Sequence, residues 1–439
     1  MPFLRNAWYV AAFSSEVKPG APLARTLLDQ PIVFFRDCAG APVALDDRCP
    51  HRFAPLSRGR CVDGAIECPY HGLRFGAAGE CTHNPHGDGR VPAGAKVRGY
   101  PLLERYGAVW IWPGDPARAE ASTLPDFGFL DPAHRYTSEG YLRTQAHYQL
   151  SVDNLLDLSH FQFLHPGTLG SDAMARGNVQ FASDDETVWV RREAHREIVQ
   201  PFMARSFGVA EGASVDRWFD VRWNAPGLLA IAVGLNETGA PPENARVSPS
   251  AHWLTPETAA TTHYFFSFGL PREMGEAGQA IVDQAIEGIM EPFRNEDLPM
   301  LEAQQRAIGD RDFWSMQPAM LTIDKGAVRA RRIMEAKLAR EAAGAADAGA
   351  SLAGQRPAAQ GAPQHPAPQR PGPQPASQPA SQPGSQSGSQ PDSQPDSQPD
   401  SQPDSQPGSP AHHAAPQGPN DPAHSDDPAA AFWKMLNLA

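Results

Sequence analysis

Cysteine and histidine side chains are paired twice within residues 49–71, and this feature constrains the chain more than any other. The segment reads CPHRFAPLSRGRCVDGAIECPYH and contains a Cys-x-His followed by a Cys-x-x-His, formed by Cys49, His51, Cys68 and His71. Two thiolates and two imidazoles form a metal-binding donor set, and zinc accepts such donors. Zinc modules usually begin with ligands separated by two to four residues, whereas Cys-x-His leaves one residue between them. The spacing therefore favours a different centre.

A Rieske [2Fe–2S] cluster fits the two pairs better, because in that cluster two histidines replace two cysteines on one iron. Cys49 and Cys68 would then hold one iron, and His51 and His71 the other. Each loop supplies one ligand to each iron, which explains why both loops have a similar composition. Prolines and a glycine in these loops are typical of tight turns. The segment predicts a Rieske cluster in preference to a zinc site.

Charge and cysteine content narrow the class of protein further. The 439 residues carry a formal charge of −13, which argues against nucleic acid as a partner. Five cysteines are an odd, sparse set, so a reducing compartment is expected and Cys38, Cys61 and Cys81 are interpreted as small buried residues. The N-terminus has no signal-peptide pattern, and no apolar run approaches the length of a membrane helix. We expect a soluble cytoplasmic protein that does not contact a membrane.

The chain divides into three parts by composition. Residues 1–115 contain short strands separated by Gly, Pro and Asp turns, which predicts a small all-β domain carrying the cluster. Residues 116–342 contain longer strands and then a helical stretch from about 278 to 308, which predicts an α+β domain. Residues 343–439 are rich in Pro, Gln and Ser and repeat SQPD, so we expect a disordered tail. Its apolar end, FWKML, is either a chance feature or a short docking peptide.

A second metal site is indicated by the stretch DNLLDLSHFQFLH at 153–165. Non-haem iron oxygenases bind Fe(II) through two histidines and one carboxylate, leaving positions open for O2. His160 and His165 suit this role, but five residues of ideal helix rotate by about 140°. The helix must therefore end or bend near residues 162–164, where the following Pro166-Gly167 agrees with a terminus.

The third ligand is expected on the helical stretch near its C-terminal end. Asp297 lies on the apolar face of that helix, whereas Glu296 and Glu302 point largely elsewhere. Pro299 removes one backbone hydrogen bond and should kink the helix close to Asp297. The apolar face is formed by Ile286, Ile289, Met290, Phe293, Met300 and Leu301.

These motifs together resemble the oxygenase components of Rieske non-haem iron oxygenases, over about residues 1–340. The vanillate O-demethylase and dicamba monooxygenase group is the most similar branch. The motifs that carry the resemblance are NAWYV (6–10), CPHRFAPLS (49–57), CPYHGL (68–73), VWIWPGD (109–115), NLLDLSHFQFLH (154–165) and EDLPMLEAQQR (296–306). The resemblance implies a helix-grip (START-like) catalytic domain, with an antiparallel sheet and a long C-terminal helix, and it also selects Asp297.

The resemblance also assigns Asp157 and Asn154 to the catalytic machinery. In the resembling enzymes the carboxylate at Asp157 links a Rieske histidine of a neighbouring subunit to an iron-ligand histidine, which implies a homotrimer. No G-x-G-x-x-G follows a strand in this chain. A separate NAD(P)H-dependent flavin and iron–sulfur reductase is therefore expected to supply electrons.

The motifs are compatible with two classes of function, an oxygenase and an electron carrier. An oxygenase would use O2 and two electrons on an aromatic substrate, and the resemblance favours O-demethylation of a vanillate-like methoxylated acid. Hydroxylation of a sulfonated or halogenated benzoate is the alternative. A Rieske electron carrier without oxygenase activity would need only the first part of the chain, so the second iron motif favours the oxygenase. Predicted substrate contacts on the strands are His252, Trp253, Asn224 and His263.

Overall fold

The computed structural model of the protein describes residues 3–354. The SQPD repeats, which were predicted to be disordered, lie outside the described residues. So does the apolar FWKML terminus, which was considered as a docking peptide.

The N-terminal part is built from short antiparallel strands, as the sequence predicts. They form a sheet of order β1-β10-β9, a sheet of order β2-β3-β4 and a sheet of order β5-β6-β7-β8, defined by the following bounds. The strands are β1 (Tyr9–Phe13), β2 (Leu23–Leu27), β3 (Gln30–Arg36), β4 (Pro42–Asp46), β5 (Arg60–Val62), β6 (Ala65–Glu67), β7 (Arg74–Phe75), β8 (Cys81–His83), β9 (Leu102–Arg105) and β10 (Ala108–Ile111).

The second part is dominated by one seven-stranded antiparallel sheet. Its longer strands are β11 (Arg135–Thr144), β12 (Asn178–Ser183), β13 (Thr187–Ile198), β14 (Ser214–Asn224), β15 (Leu228–Glu237), β16 (Arg246–Thr258) and β17 (Thr261–Pro271). The order across the sheet is β11-β17-β16-β15-β14-β13-β12, so strands that follow one another from β12 to β17 are paired hairpin-fashion. The α+β class predicted from the sequence is confirmed.

Helices pack on this sheet and frame the site described below. They are α1 (Tyr148–Leu156), α2 (Phe161–Leu164), α3 (Asp172–Ala175), α4 (Pro201–Phe207), α5 (Gly278–Pro292), α6 (Leu298–Ile308) and α7 (Lys325–Gly354). A π-helical turn at Phe293–Asp297 joins α5 to α6, so the helical stretch expected at 278–308 is present. The sequence did not predict α7, which continues past residue 343, where the tail was expected to begin. No described helix is both long and apolar enough to cross a membrane.

The two faces of the large sheet are buried against different partners. On one face Trp253 lies edge-on against Trp110, with ring centroids 5.0 Å apart, within a cluster that includes Phe127 and β10. On the other face apolar residues of β14 to β17 pack with α1, α5 and α7. Because side chains alternate along a strand, only residues on the helix-facing side can reach a site between sheet and helices.

The last helix ties the ends of the described chain together. The Glu341 carboxylate accepts hydrogen bonds from the backbone N–H groups of Arg5 and Asn6, at 2.8 and 2.7 Å, and from Asn6 Nδ2 at 2.9 Å. Arg331, also on α7, donates from Nε to both carboxylate oxygens of Asp153 on α1, at 3.0 Å each. The N-terminal strand region and α1 are therefore both held by α7.

Candidate metal centres

The two loops of the cysteine–histidine segment have the same backbone hydrogen-bond pattern. In each, the cysteine N–H donates to the carbonyl five positions later, and the cysteine carbonyl accepts from the N–H four positions later. The bonds are Cys49 N–H to Ala54 O (2.9 Å), Phe53 N–H to Cys49 O (2.8 Å), Cys68 N–H to Leu73 O (2.8 Å) and Gly72 N–H to Cys68 O (3.0 Å).

Both loops reverse direction through a left-handed residue at the same position. Phe53 has φ +59° and Gly72 has φ +70°, a region that is costly for a side chain such as phenylalanine. The Cys-x-His and Cys-x-x-His segments therefore form turns with the same backbone hydrogen bonds, although the histidine stands two positions after the cysteine in one and three positions after it in the other.

The four candidate ligands are arranged with sulfur inside and nitrogen outside. Cys49 and Cys68 are 1% and 2% exposed, while His51 is exposed and its ring centroid lies 4.5 Å from that of His71. Burial, helped by the neighbouring Cys68 and opposed by the backbone N–H of His51, raises the pKa of the Cys49 thiol to about 11. Buried thiols beside a pair of surface imidazoles fit a two-iron cluster with one iron toward the surface.

The other cysteines correct one expectation. Cys38 is exposed, and Cys61 and Cys81 are only half-buried, so the interpretation of all three as buried residues is wrong. Cys38 lies in a tight turn after β3, in which Asp37 Oδ1 accepts from the N–H groups of Ala39 and Ala41. A turn that projects into solvent leaves its side chains uncovered.

A second candidate centre is formed by His160, His165 and Asp297. One ligand atom from each lies within 4.8 Å of the others. Asp297 Oδ1 is 3.2 Å from His165 Nε2 and 3.6 Å from His160 Nε2, so both imidazoles turn the same nitrogen toward one carboxylate. His165 and Asp297 are 0% and 2% exposed. Two imidazoles and one carboxylate on one side of a site are the ligand set of non-haem Fe(II) oxygenases.

The chain brings the two histidines together by breaking the helix twice. α1 ends at Leu156, and Asp157 is extended (φ −99°, ψ 103°), with its Oδ1 accepting from the Ser159 N–H at 2.7 Å. His160 then precedes α2, and His165 follows it. The end of α2 at Leu164 agrees with the bend predicted near 162–164, whereas the break before His160 was not predicted.

Asp297 is placed by an irregular turn in the long helical stretch. The five residues Phe293–Asp297 are π-helical, and α6 begins directly after them with Pro299 in its first turn. Pro299 has no backbone N–H to donate, and the irregularity of the helical stretch lies in the π turn directly before α6 rather than at the proline itself. The π turn thus replaces the simple kink predicted at Pro299, and such turns are frequent at functional sites.

Neighbouring polar groups orient this candidate centre. Asn154 Nδ2 donates to Asp297 Oδ1 at 2.9 Å. The Glu296 carboxylate lies 2.5 Å from His165 Nδ1 and accepts from Thr168 Oγ1 at 2.9 Å. With Nδ1 bonded to Glu296, the imidazole presents Nε2 to Asp297, which is the arrangement of a metal-ligand histidine. This role of Glu296 was not predicted from the sequence, although Glu296 directly precedes Asp297.

Electrostatics also favour a cation between these groups. Burial acts to lower the pKa of His165, but hydrogen bonds and charge from Asp297 and Glu296 outweigh it and leave that pKa raised. Burial lowers the pKa of His160 in spite of Asp297. Positive charge is therefore favoured beside these two carboxylates, and a divalent metal ion ligated by neutral imidazoles would supply it.

A cavity of about 830 Å³ extends from this centre between the sheet and α5. Its volume lies in the range of small-molecule sites. It is lined by aromatic side chains from α2, α4, the sheet and the π turn: Phe161, Phe202, Phe207, Phe219, Phe268 and Phe293.

Only one of the predicted substrate contacts lines this cavity, namely His252. Trp253 points to the opposite face of the sheet. His263 Nδ1 bonds the Tyr141 hydroxyl at 2.7 Å, with Nε2 2.9 Å from the Thr26 carbonyl. Asn224 donates to Thr187 Oγ1 at 2.9 Å. The last three predictions are wrong, because alternation along each strand turns these side chains away from the helices.

Asp157 lies beside the candidate iron site without a close bond to it. Its Oδ2 is 3.9 Å from His160 Nδ1, which is too long for a hydrogen bond. His160 Nδ1 is buried and has no hydrogen-bond partner among the described residues. The Asp157 side chain is 28% exposed, so it can be reached from outside the chain.

Comparison with known protein families agrees with both parts of the fold. Residues 7–101 match the Rieske [2Fe-2S] domain. Residues 144–340 match the vanillate O-demethylase oxygenase C-terminal domain. The two matched segments contain the cysteine–histidine loops and the His160, His165 and Asp297 cluster, respectively.

Individual relatives cover the same region. The oxygenase component of dicamba O-demethylase from Stenotrophomonas maltophilia is 40% identical over 341 residues, which is 76% of this chain and 98% of the relative. The vanillate O-demethylase oxygenase subunit of a Pseudomonas species is 34% identical, over 77% and 96% of the two chains. The crystal structure of dicamba monooxygenase bound to 3,6-dichlorosalicylic acid matches with a TM-score of 0.71 and 39% identity, over 78% of this chain and 100% of that one.

Proposed function

The chain belongs to the Rieske oxygenase family that contains the vanillate and dicamba O-demethylase oxygenase components, and we propose that it demethylates a methoxylated, vanillate-like aromatic acid. Its cofactors are a Rieske [2Fe–2S] cluster and a mononuclear non-haem iron. The observation that carries the proposal is the position of His160, His165 and Asp297 at one end of an aromatic-lined cavity.

The proposed ligands follow from the geometry of the two centres. Cys49, His51, Cys68 and His71 hold the cluster, and His160, His165 and Asp297 hold the mononuclear iron. When bound, the cluster supplies single electrons and the iron activates O2 toward a C–H bond. The overall reaction converts an aryl methyl ether, O2, two electrons and two protons into a phenol, formaldehyde and water.

The chain's own side chains prepare the site for this reaction. Asn154 holds one oxygen of Asp297, and Glu296 holds the ring of His165. The ring of Phe161 packs edge-on against Phe219, with centroids 4.9 Å apart, and these apolar walls exclude water from the reacting carbon. Such walls suit an aromatic ring as ligand, and we place its methoxy group toward His160 and His165.

His252 is the proposed polar contact of the substrate within the cavity. Its Nε2 lies 2.9 Å from Ser250 Oγ and its Nδ1 lies 2.7 Å from the Tyr264 hydroxyl. Burial lowers the pKa of His252 to about 3, so the imidazole is neutral at physiological pH. Because both ring nitrogens are bonded within the chain, a substrate oxygen would contact His252 through the linked Ser250 or Tyr264 hydroxyl, and the neutral imidazole cannot neutralise a carboxylate.

Two further partners belong to this proposal. Relatives of the chain are named as oxygenase components, which supports a separate NAD(P)H-dependent reductase as electron donor. The exposed edge of Asp157 and the unbonded Nδ1 of His160 support electron entry from the cluster of a neighbouring subunit. A homotrimer, in which Asp157 joins His71 of one subunit to His160 of the next, is the assembly we propose.

Product analysis with a supplied reductase tests the function. Purified full-length protein, reductase, NADH and O2 are incubated with vanillate and with other methoxylated benzoates, alongside sulfonated and halogenated benzoates. We expect stoichiometric formaldehyde and the corresponding phenol from a methoxylated acid. A ring-hydroxylated or dihydrodiol product without formaldehyde would reject demethylation in favour of hydroxylation, and reduction without oxygen uptake would indicate an electron carrier.

A further inference from the structure

One strand contributes a line of polar side chains to a cavity whose other walls are mainly apolar. Arg246, Ser248, Ser250 and His252 alternate along β16, so they share one face, and all four line the cavity. Burial increases along this line, from exposed Arg246 through half-buried Ser248 to Ser250 and His252, which are 9% and 2% exposed. The line therefore runs from the surface into the interior.

The inner end of this line lies near the candidate iron site. The His252 ring is 5.6 Å from that of Phe293, which is one helical turn before Asp297. His252 also bonds the Tyr264 hydroxyl, and the negative charge of Asp297 is among the causes that raise the pKa of Tyr264, after burial. Arg246 is consequently the end of the line that is remote from the metal.

The length of the cavity can be estimated along two of its walls from the ideal rise per residue. From His252 to Arg246 the strand advances roughly 20 Å, at about 3.3 Å per residue. On the opposite wall, Asp297 and Ile281 both line the cavity, and the helix between them spans roughly 24 Å at about 1.5 Å per residue. A single-ring methoxybenzoate would occupy less than half of this length.

Charge is distributed unevenly along the cavity. Asp297 at the metal end carries the acidic group, while the arginines among the lining residues are Arg205 and Arg246 at the other end. Arg205 is paired with the exposed carboxylate of Glu211, at 3.2 Å. Arg246 donates from Nη1 to the Phe207 carbonyl at 2.6 Å, and no ion pair among the described residues includes it. A guanidinium has five N–H donors, so Arg246 retains donors for an anion.

We propose that this site selects an extended substrate, namely an aryl methyl ether whose carboxylate is separated from the methoxy ring by a second ring or a conjugated spacer. The carboxylate binds Arg246 at the mouth, the spacer follows Ser248 and Ser250, and the methoxy ring lies among the phenylalanines next to the histidines. The inference rests on the proposed function and refines it, because it moves the acid group away from the reacting methyl group.

Calorimetric titration of the full-length holoenzyme tests the inference through binding alone. The probes are 4-methoxybenzoate, 4-methoxycinnamate, 4′-methoxybiphenyl-4-carboxylate and the methyl ester of the last. We expect affinity for the acids to rise with length. Arg246→Gln should weaken binding of the biphenyl acid by roughly tenfold or more, the range for a hydrogen bond to a charged group, and leave the ester unchanged.

Arg311→Gln is the matched control, because Arg311 is also exposed and donates to a backbone carbonyl, that of Ile308 at 2.8 Å, but does not line the cavity. Equal loss of acid and ester in Arg246→Gln, or unchanged binding of the acid, would overturn the inference. So would tighter binding of the benzoate than of the biphenyl acid. Binding that follows length and charge without formaldehyde release would instead reject O-demethylation and leave the extended binding mode standing.

Discussion

Glu296 and Asp297, adjacent in sequence, contact opposite nitrogens of the same imidazole: the Glu296 carboxylate lies 2.5 Å from His165 Nδ1, and Asp297 Oδ1 lies 3.2 Å from His165 Nε2. Both residues lie in the π-helical turn Phe293–Asp297. One turn of chain thus supplies a candidate metal ligand together with the group that orients another.

Replacing Glu296 should weaken metal binding without removing a ligand. Loss of such a partner typically costs 10–100-fold in metal affinity, so we expect Glu296→Ala to bind Fe(II) about that much more weakly. Anaerobic titration of the mononuclear site with Fe(II) measures the change. Glu296→Gln retains an acceptor oxygen and should lie between wild type and Glu296→Ala. The exposed Glu291→Gln on α5 is the control, and an Fe(II) affinity of Glu296→Ala equal to that control would show that Glu296 does not orient His165.

Single removal of His160, His165 or Asp297 should empty the mononuclear site and leave the cluster intact. The three side chains converge within 4.8 Å, and the cysteine–histidine loops are built from a separate part of the chain. Iron analysis combined with visible absorbance of the cluster measures both centres in one sample. If Asp297→Ala still contained a full complement of mononuclear iron, the third ligand would have to be another group, and Glu296, whose carboxylate contacts His165, would be the first candidate.

Asp157→Asn should uncouple the two centres. The variant keeps the shape of the side chain and one acceptor oxygen but loses the charge, which in the proposed trimer joins His71 of one subunit to His160 of the next. Both centres should still load with iron, since Asp157 is a proposed ligand of neither. Stopped-flow absorbance should show a reduced cluster that persists in the presence of O2 and substrate.

The control for Asp157 is Ser159→Ala, which removes the hydroxyl that donates to this carboxylate, keeps the backbone N–H bond and leaves the charge of Asp157 unchanged. We expect Ser159→Ala to retain rapid cluster oxidation. Near-normal turnover by Asp157→Asn would show that Asp157 does not carry electrons between the centres and only stabilises the local turn after α1.

We expect truncation to leave the folded body intact when it removes residues after Gly344, and to destabilise the body when it also removes Glu341. A chain ending at Gly344 keeps Glu341 and its bonds to Arg5 and Asn6, so assembly and turnover with excess reductase should be unchanged. A chain ending at Arg340 loses these bonds to a charged group, worth about 1.5–3 kcal/mol each, and should unfold at a lower temperature. Differential scanning calorimetry of both chains and of Glu341→Gln measures this. Loss of the trimer on truncation at Gly344 would mean that later residues pack on the body.

Where function restricts residue type, the sequence pointed to side chains that the structure brings close together. Only certain side chains can ligate iron, so the Cys49–His71 loops and the histidines at 160 and 165 were recognisable, and the apolar stripe of the helix singled out Asp297. Prediction from sequence failed where the outcome depends on strand register. Trp253 and His263 were placed in the cavity although a shift of one residue reverses every side chain of a strand. The break at Asp157 and the π turn at Phe293–Asp297 also depend on tertiary packing that local propensity does not encode.

The bond between Arg5 and Glu341 joins residues 336 positions apart in the chain. Synthesis proceeds from the N-terminus, so the first residues leave the ribosome long before their acceptor exists. The contact that Arg5 and Asn6 make with α7 can therefore form only after nearly all of the described oxygenase body has been made, although β1 is already paired with β10 within the first part of the chain. Such long-range closure slows folding, and it makes α7 the element whose arrival completes a domain that began the chain.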